Sequence, residues 1–260
     1  MKIRWLLLLI ALIWAAAALW LLRKPVANWI HRSTDSIELS EKPQPDPQTY
    51  ATLVAELERW RTELAQLHTH AQSPAEKSAI ERDARIILEH TLPAMMRCWL
   101  GTPYDFNGTA RKPGGGKIAC GYFVATVLKD AGFKLNRYRL AQQPSQNILR
   151  SFLAKPDCHL TVGQPYPDFV KSVSASDRGI LLVGLDTHVA FIVATGNGTF
   201  HCIHSSGSRP WCVVEEPPQH AGVLRQSNWR MLGNLTADPK VIRNWLNGTT
   251  ITVRTSLSSD

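Results

Sequence analysis

Ile118-Ala119-Cys120-Gly121-Tyr122-Phe123-Val124-Ala125-Thr126-Val127-Leu128 is the stretch on which the reading of this chain turns. Phe123, Val124, Val127, Leu128 and Ala131 follow the cysteine at helical spacing, and Gly132 suits the cap that closes a helix. A glycine loop, Gly114-Gly115-Gly116, feeds the segment after the turn Gly101-Thr102-Pro103-Tyr104. Cys120 is therefore predicted at or near the first turn of a buried helix. Unsatisfied N–H groups and the helix dipole stabilise a thiolate there, drawing its pKa from about 8.5 toward neutrality, and the same N–H groups can hold a developing oxyanion. A cysteine ahead of an apolar helix is more often a small buried hydrophobe, so position alone does not establish a nucleophile.

Downstream the period changes. Ile180 to Leu185, His188 to Ala194, Thr199 to His204 and Trp211 to Val214 read as strands separated by turn residues. Short connections imply an antiparallel meander, and helices followed by strands imply an α+β domain with the Cys120 helix against one sheet face. His188 opens a strand after Asp186-Thr187. Which later histidine can join it depends on the hairpin through Thr195-Gly196-Asn197-Gly198. A two-residue Asn197-Gly198 turn puts His201 on the face of His188 but far along the strand. A three-residue Gly196–Gly198 loop puts Ala190 opposite His204, with His188 its diagonal neighbour at ~7–8 Å. Asn-Gly by itself favours the tight turn, and the residues leave both registers open.

Upstream, Leu53, Leu57, Trp60, Leu64 and Leu67 mark an amphipathic helix, Ser73-Pro74 reads as an N-cap with proline at the first helical position, and a second helix runs from Ala75 to about Leu92. Residues 33–48, with three prolines, read as a tether. Lys2 and Arg4 precede an apolar run from Trp5 to Leu22 of 18 residues, closed by Arg23-Lys24-Pro25. That length just crosses a ~30 Å hydrocarbon core. An uncleaved anchor is expected, with a cleaved signal as the alternative. The expected divisions are 1–24 anchor, 25–48 linker, 49–72 first helix of a hairpin, and 73–260 catalytic domain. With 29 basic and 21 acidic residues the net charge is +8, which favours anionic surroundings. No basic run is interleaved with aromatics, which argues against a nucleic-acid partner.

Taken in order, these motifs resemble the NlpC-type branch of papain-like cysteine peptidases. Gly101 to Tyr104 match that family's Gly-Thr-Pro-Tyr, and Cys120, Phe123 and Val124 fall where its nucleophile and helix lie. His188-Val189-Ala190-Phe191-Ile192, Gly196-Asn197-Gly198, Phe200 and Ile203-His204-Ser205-Ser206 resemble its His-Val-Gly-Ile-Tyr, Gly-Asn-Gly, Phe and Ile-His-Ala-Ser. The likeness spans roughly residues 77 to 235. Ala119 and Gly121 stand where the family usually has Asp and Ser. The resemblance implies a papain-like NlpC-type α+β fold in which N-terminal helices pack on an antiparallel sheet. It also favours His204 over His201, and hence the longer hairpin loop. It implies hydrolysis of peptide bonds in bacterial peptidoglycan stems, without cofactor or metal. With the N-terminal apolar run, which the likeness does not cover, the expected location is the bacterial inner membrane with the domain in the periplasm or outside the cell, or secretion after signal cleavage.

On this reading Cys120 attacks as thiolate beside an imidazolium His188, His204 orients the ring, and Tyr104 is a candidate for binding substrate or oxyanion. Three rivals are weighed. A zinc site built from His188, His201, Cys202, His204 and Cys212 lacks the C-x-x-C or H-E-x-x-H spacing. A non-catalytic relative would bind wall peptides without cutting them, and an acyltransferase would use the same thiol. Cys98, Cys158, Cys202 and Cys212 allow two disulfides in three connectivities, or four reduced thiols.

Overall fold

The computed structural model describes residues 43–255, so the predicted anchor and most of the tether lie outside the described residues. Within them no helix is long and apolar enough to cross a membrane. Residues 44–255 form one compact unit of α+β type.

Asp46 caps α1 (Pro47–His70) by accepting from the Thr49 N–H. Ser73 caps α2 (Pro74–Arg97) by accepting from Glu76 N–H, while the Glu76 carboxylate accepts the Gln72 N–H at 2.7 Å. This is the predicted hairpin, but α2 runs about five residues further than the apolar stripe suggested, through Pro93 to Arg97. Its last turns carry Met95, Met96 and, just beyond, Trp99, all fully buried.

The cysteine helix is α3 (Cys120–Asp130), and Gly132 follows it at φ +97°. A row of edge-to-face aromatic contacts locks α3 between α1 and the sheet. Tyr50 meets Trp99 at 5.6 Å, Trp99 meets Phe123 at 6.0 Å, and Phe123 meets Phe191 at 5.9 Å. Helices α4 (Arg137–Ala141) and α5 (Ser145–Phe152) then lead to the edge strand β1 (His159–Val162) and helix α6 (Tyr166–Ser174).

The meander is β2 (Gly179–Leu185), β3 (Val189–Ala194), β4 (Phe200–Ser205) and β5 (Val213–Glu216). After α7 (Gly222–Gln226), strand β6 (Trp229–Asn234) inserts between β1 and β2, and α8 (Pro239–Leu246) closes the chain on the helical side. The sheet is antiparallel throughout, in the order β1-β6-β2-β3-β4-β5.

Both faces of this sheet are covered. Val189, Phe191, Ile203 and Val213 join the core under α1–α3, while Leu181, Val183, Ala190, Ile192 and Cys202 pack with Phe169 and Val173 of α6 and Leu224 of α7. Double burial explains why β2 and β3 read as unbroken apolar runs without alternation. The sequence-based expectation laid the Cys120 helix against one sheet face and named no cover for the other. The short amphipathic α6 and α7 supply the second layer.

Candidate active site

The backbone register decides which histidine joins His188. Strands β3 and β4 pair Phe191 with Ile203 and Ala194 with Phe200. The hairpin closes where the Thr195 N–H donates to the Thr199 carbonyl at 3.1 Å, around a three-residue loop with Gly196 at φ +76° and Gly198 at φ +88°. Both glycines occupy the left-handed region that side chains avoid, which admits the longer loop over the tight Asn-Gly turn. Continuing the pairing sets Ala190 opposite His204. His188 Nε2 and His204 Nδ1 then lie 2.9 Å apart, with their rings nearly perpendicular.

His201 falls on the other face, 3.5 Å from Glu215. His204 is buried, and its second nitrogen, Nε2, lies 3.1 Å from Glu216 Oε2. The fourth apolar run read from the sequence ended at Val214 and left out Glu216. The observed strand is displaced by two residues, and its pairing of His204 with Val214 and Cys202 with Glu216 brings that carboxylate diagonally against His204. The doublet Glu215-Glu216 after two valines was the available signal.

Cys120 is the first residue of α3. Ala119 precedes it with extended backbone and no capping side chain, so the first-turn N–H groups remain open to the thiol or to a ligand. The preceding chain is sewn to the segment before β5, and the cysteine segment to that chain and to β4. The Tyr104 N–H donates to Trp211 O at 2.8 Å, the Ile118 N–H to Pro103 O at 2.9 Å, and Ser205 Oγ to Ile118 O at 2.7 Å. A Cβ at Gly121 would stand 2.3 Å from the carbonyl oxygen of Ala141, so no side chain fits directly after Cys120 while α4 keeps its place.

Cys120 and His188 line one cleft of about 720 Å³, together with Phe106, Ser145, Val189 and Trp229. The cleft lies where the β2–β3 turn ends the sheet. There the Leu185 N–H donates to His188 O at 2.8 Å. The Asp186 carboxylate accepts from Ser227 Oγ at 2.6 Å, from the Asn228 N–H at 2.8 Å and from the Trp229 N–H at 3.2 Å. The Ser227 hydroxyl first, then these N–H groups, holds Asp186 below the usual carboxylate range. Asp186 thus pins the turn that carries His188, a role its place in a turn dipeptide did not reveal.

The electrostatics differ from the expected ion pair. Burial pushes the Cys120 thiol up, and the N–H groups of Val189, Gly121 and Cys120 itself only partly offset it. Burial depresses His188 to about 3. The resting pair is therefore a neutral thiol and a neutral imidazole, because desolvation at the cleft wall outweighs the helix dipole. Tyr104 sits beside the site. Its ring lies 6.3 Å from that of Trp211, and burial raises its hydroxyl, but it does not line the cleft.

No disulfide joins the described cysteines. Among the described residues no three His, Cys, Asp or Glu side chains converge as metal ligands, and the five-residue cluster drawn from sequence is divided between the two sheet faces. No protein-family model, curated protein or solved structure matches the chain.

Proposed function

We propose that the protein is a thiol-dependent hydrolase, a divergent NlpC-type papain-like peptidase or amidase that cuts peptide bonds in peptidoglycan stems. Residues 1–24 hold it in the bacterial inner membrane, with the domain outside the cytoplasm. One observation carries the reading. A cysteine on an uncapped helix N-terminus and a histidine oriented by a second, buried histidine open onto the same cleft. The cleft volume suits a short peptide.

His188 Nε2 is engaged with His204, which leaves the other ring nitrogen as the base. As Cys120 Sγ bonds to the substrate carbonyl carbon, its proton passes to His188 and the carbonyl π pair moves to oxygen. The open N–H groups of the first turn of α3 receive that oxyanion. Collapse breaks the C–N bond, and the amine leaves with the proton from His188. Water then adds to the thioester, delivering one proton to His188. Collapse breaks the C–S bond, the acid departs, and His188 returns its proton to the sulfur. Because both groups rest neutral, proton transfer accompanies attack. Resting geometry is often looser than the reacting geometry, and no hydrogen bond joins Cys120 and His188 in this state.

Purified full-length protein incubated with peptidoglycan and with short stem peptides, followed by mass spectrometry, tests the proposal. New fragments that vanish in both Cys120→Ala and His188→Ala are expected, with rates lowered at least ~10³-fold. Retention on the polymer without fragments would indicate a binding module. Product formed only with an added amine acceptor would indicate acyl transfer. Either result would overturn the hydrolase reading.

A further inference from the structure

We propose that Glu216 is a positioning residue that sets the tautomers of both histidines, so that His188 presents a bare Nδ1 to Cys120. The proposal rests on the cysteine–histidine reading above. It follows from counting protons along three groups in a row. A carboxylate only accepts, so the His204 nitrogen facing it, Nε2 at 3.1 Å, must carry a hydrogen. If that is the one hydrogen His204 carries, its lone pair is on Nδ1, which faces His188 Nε2 at 2.9 Å. That contact is a hydrogen bond only if His188 Nε2 carries the hydrogen. The lone pair of His188 is thereby confined to Nδ1, the nitrogen that takes the thiol proton. When it does so, the positive charge on His188 is supported through His204 by the charge of Glu216.

The surroundings favour this assignment. His204 is 2% exposed, so no solvent competes for its nitrogens. The other titratable groups facing Glu216 are Cys202 across the β4–β5 ladder and Tyr166 of α6, and burial raises both, leaving them uncharged. The neighbouring Glu215 is engaged by Arg97 at 2.7 and 2.8 Å. Among the described residues Glu216 has no arginine or lysine ion pair, and its carboxylate is left to His204.

Two measurements need no substrate, so failure on wall peptides leaves them standing. The first is ¹⁵N NMR of histidine-labelled full-length protein at neutral pH. His188 is expected to carry its proton on Nε2 and His204 on Nε2. A proton on Nδ1 of His188 in the unaltered protein would overturn the proposal without any variant. The second is the rate of Cys120 alkylation by iodoacetamide against pH. Glu216→Gln retains the shape but can also donate to His204, which reverses the row. The rate is expected to fall on the order of 10-fold, with the profile moved to higher pH. Glu216→Lys can only donate, and should fall further with the His188 proton on Nδ1. Glu216→Asp should stay within about threefold of the unaltered protein. Glu215→Gln, one residue away, should leave the profile unchanged. An unaltered profile and tautomer in Glu216→Gln and Glu216→Lys, with folding verified by circular dichroism, would sink the assignment.

Discussion

His201 and His204 lie on the same strand, and each has a glutamate of β5 within reach, yet the two pairs belong to different chemistry. His201 faces the helical side at the surface, with 37% of its side chain exposed, and Glu215 beside it already bonds Arg97. His204 is 2% exposed and lies between a glutamate with no arginine or lysine ion pair and the histidine of the cleft. Nothing in the side chains distinguishes them. Strand parity does, since a three-residue offset puts one imidazole in water and the other in a desolvated row where hydrogen bonds count for more. A contact at the surface such as His201–Glu215 contributes at most about 1 kcal/mol even when charged.

The largest break in that comparison is its most direct one. His204→Ala is expected to lower hydrolysis and Cys120 alkylation about 10²- to 10³-fold, whereas His201→Ala stays within about twofold of the unaltered protein. Equal losses in both would mean that parity does not decide. Asp186→Ala loosens the other support of His188, the turn. It should cost about tenfold in kcat/KM while the His188–His204 tautomers persist by NMR.

Gly121→Ser tests the opposite end of the site. It installs the residue that the family resemblance leads one to expect, but places a Cβ 2.3 Å from the Ala141 carbonyl oxygen. Destabilisation of about 1–3 kcal/mol is expected in thermal or urea unfolding. A neutral result would show that α4 shifts freely.

The last effect, small at any one pH step, concerns acid. His188 in the folded protein has its pKa at about 3, below the ordinary histidine value. As pH falls from about 6.5 the unfolded chain takes up this proton before the folded one. Stability fully present above pH ~6.5 is therefore lost progressively down to about pH 3, at less than ~1.4 kcal/mol per pH unit because the ring is partly exposed. His188→Gln should flatten that slope in urea titrations across the window. An unchanged slope would mean that the cleft wall does not desolvate the ring.

Much of this arrangement was legible in the residues. The Cys120 helix, the Ser73 cap, the four strands of the meander and the glycines of the 196–198 loop carry local signals strong enough to survive folding. Strands β1 and β6 were not legible. The first is four residues long and mostly exposed at an edge, and β6 includes Arg230 and Asn234, which break the apolar pattern expected of an inner strand. Arg230 is accommodated there because its guanidinium donates to the carbonyls of Leu224 and Gln164 and lies over the rings of Tyr166 and Phe169. Such compensation by distant groups leaves no trace in a local window.

By itself the sequence determined that the chain has a cysteine on the first turn of an apolar helix, a histidine opening a strand, and two ways of pairing the strand that follows. Those are matters of periodicity, turn chemistry and residue type, read within a few residues of each position. Only the tertiary structure decided the register that selects His204, the two-residue displacement of β5 that brings in Glu216, and the close approach of Ala141 that requires Gly121. It also decided the protonation of the pair. A helix N-terminus favours a thiolate, but how far burial opposes it depends on what the rest of the fold packs around the cleft, and here burial prevails.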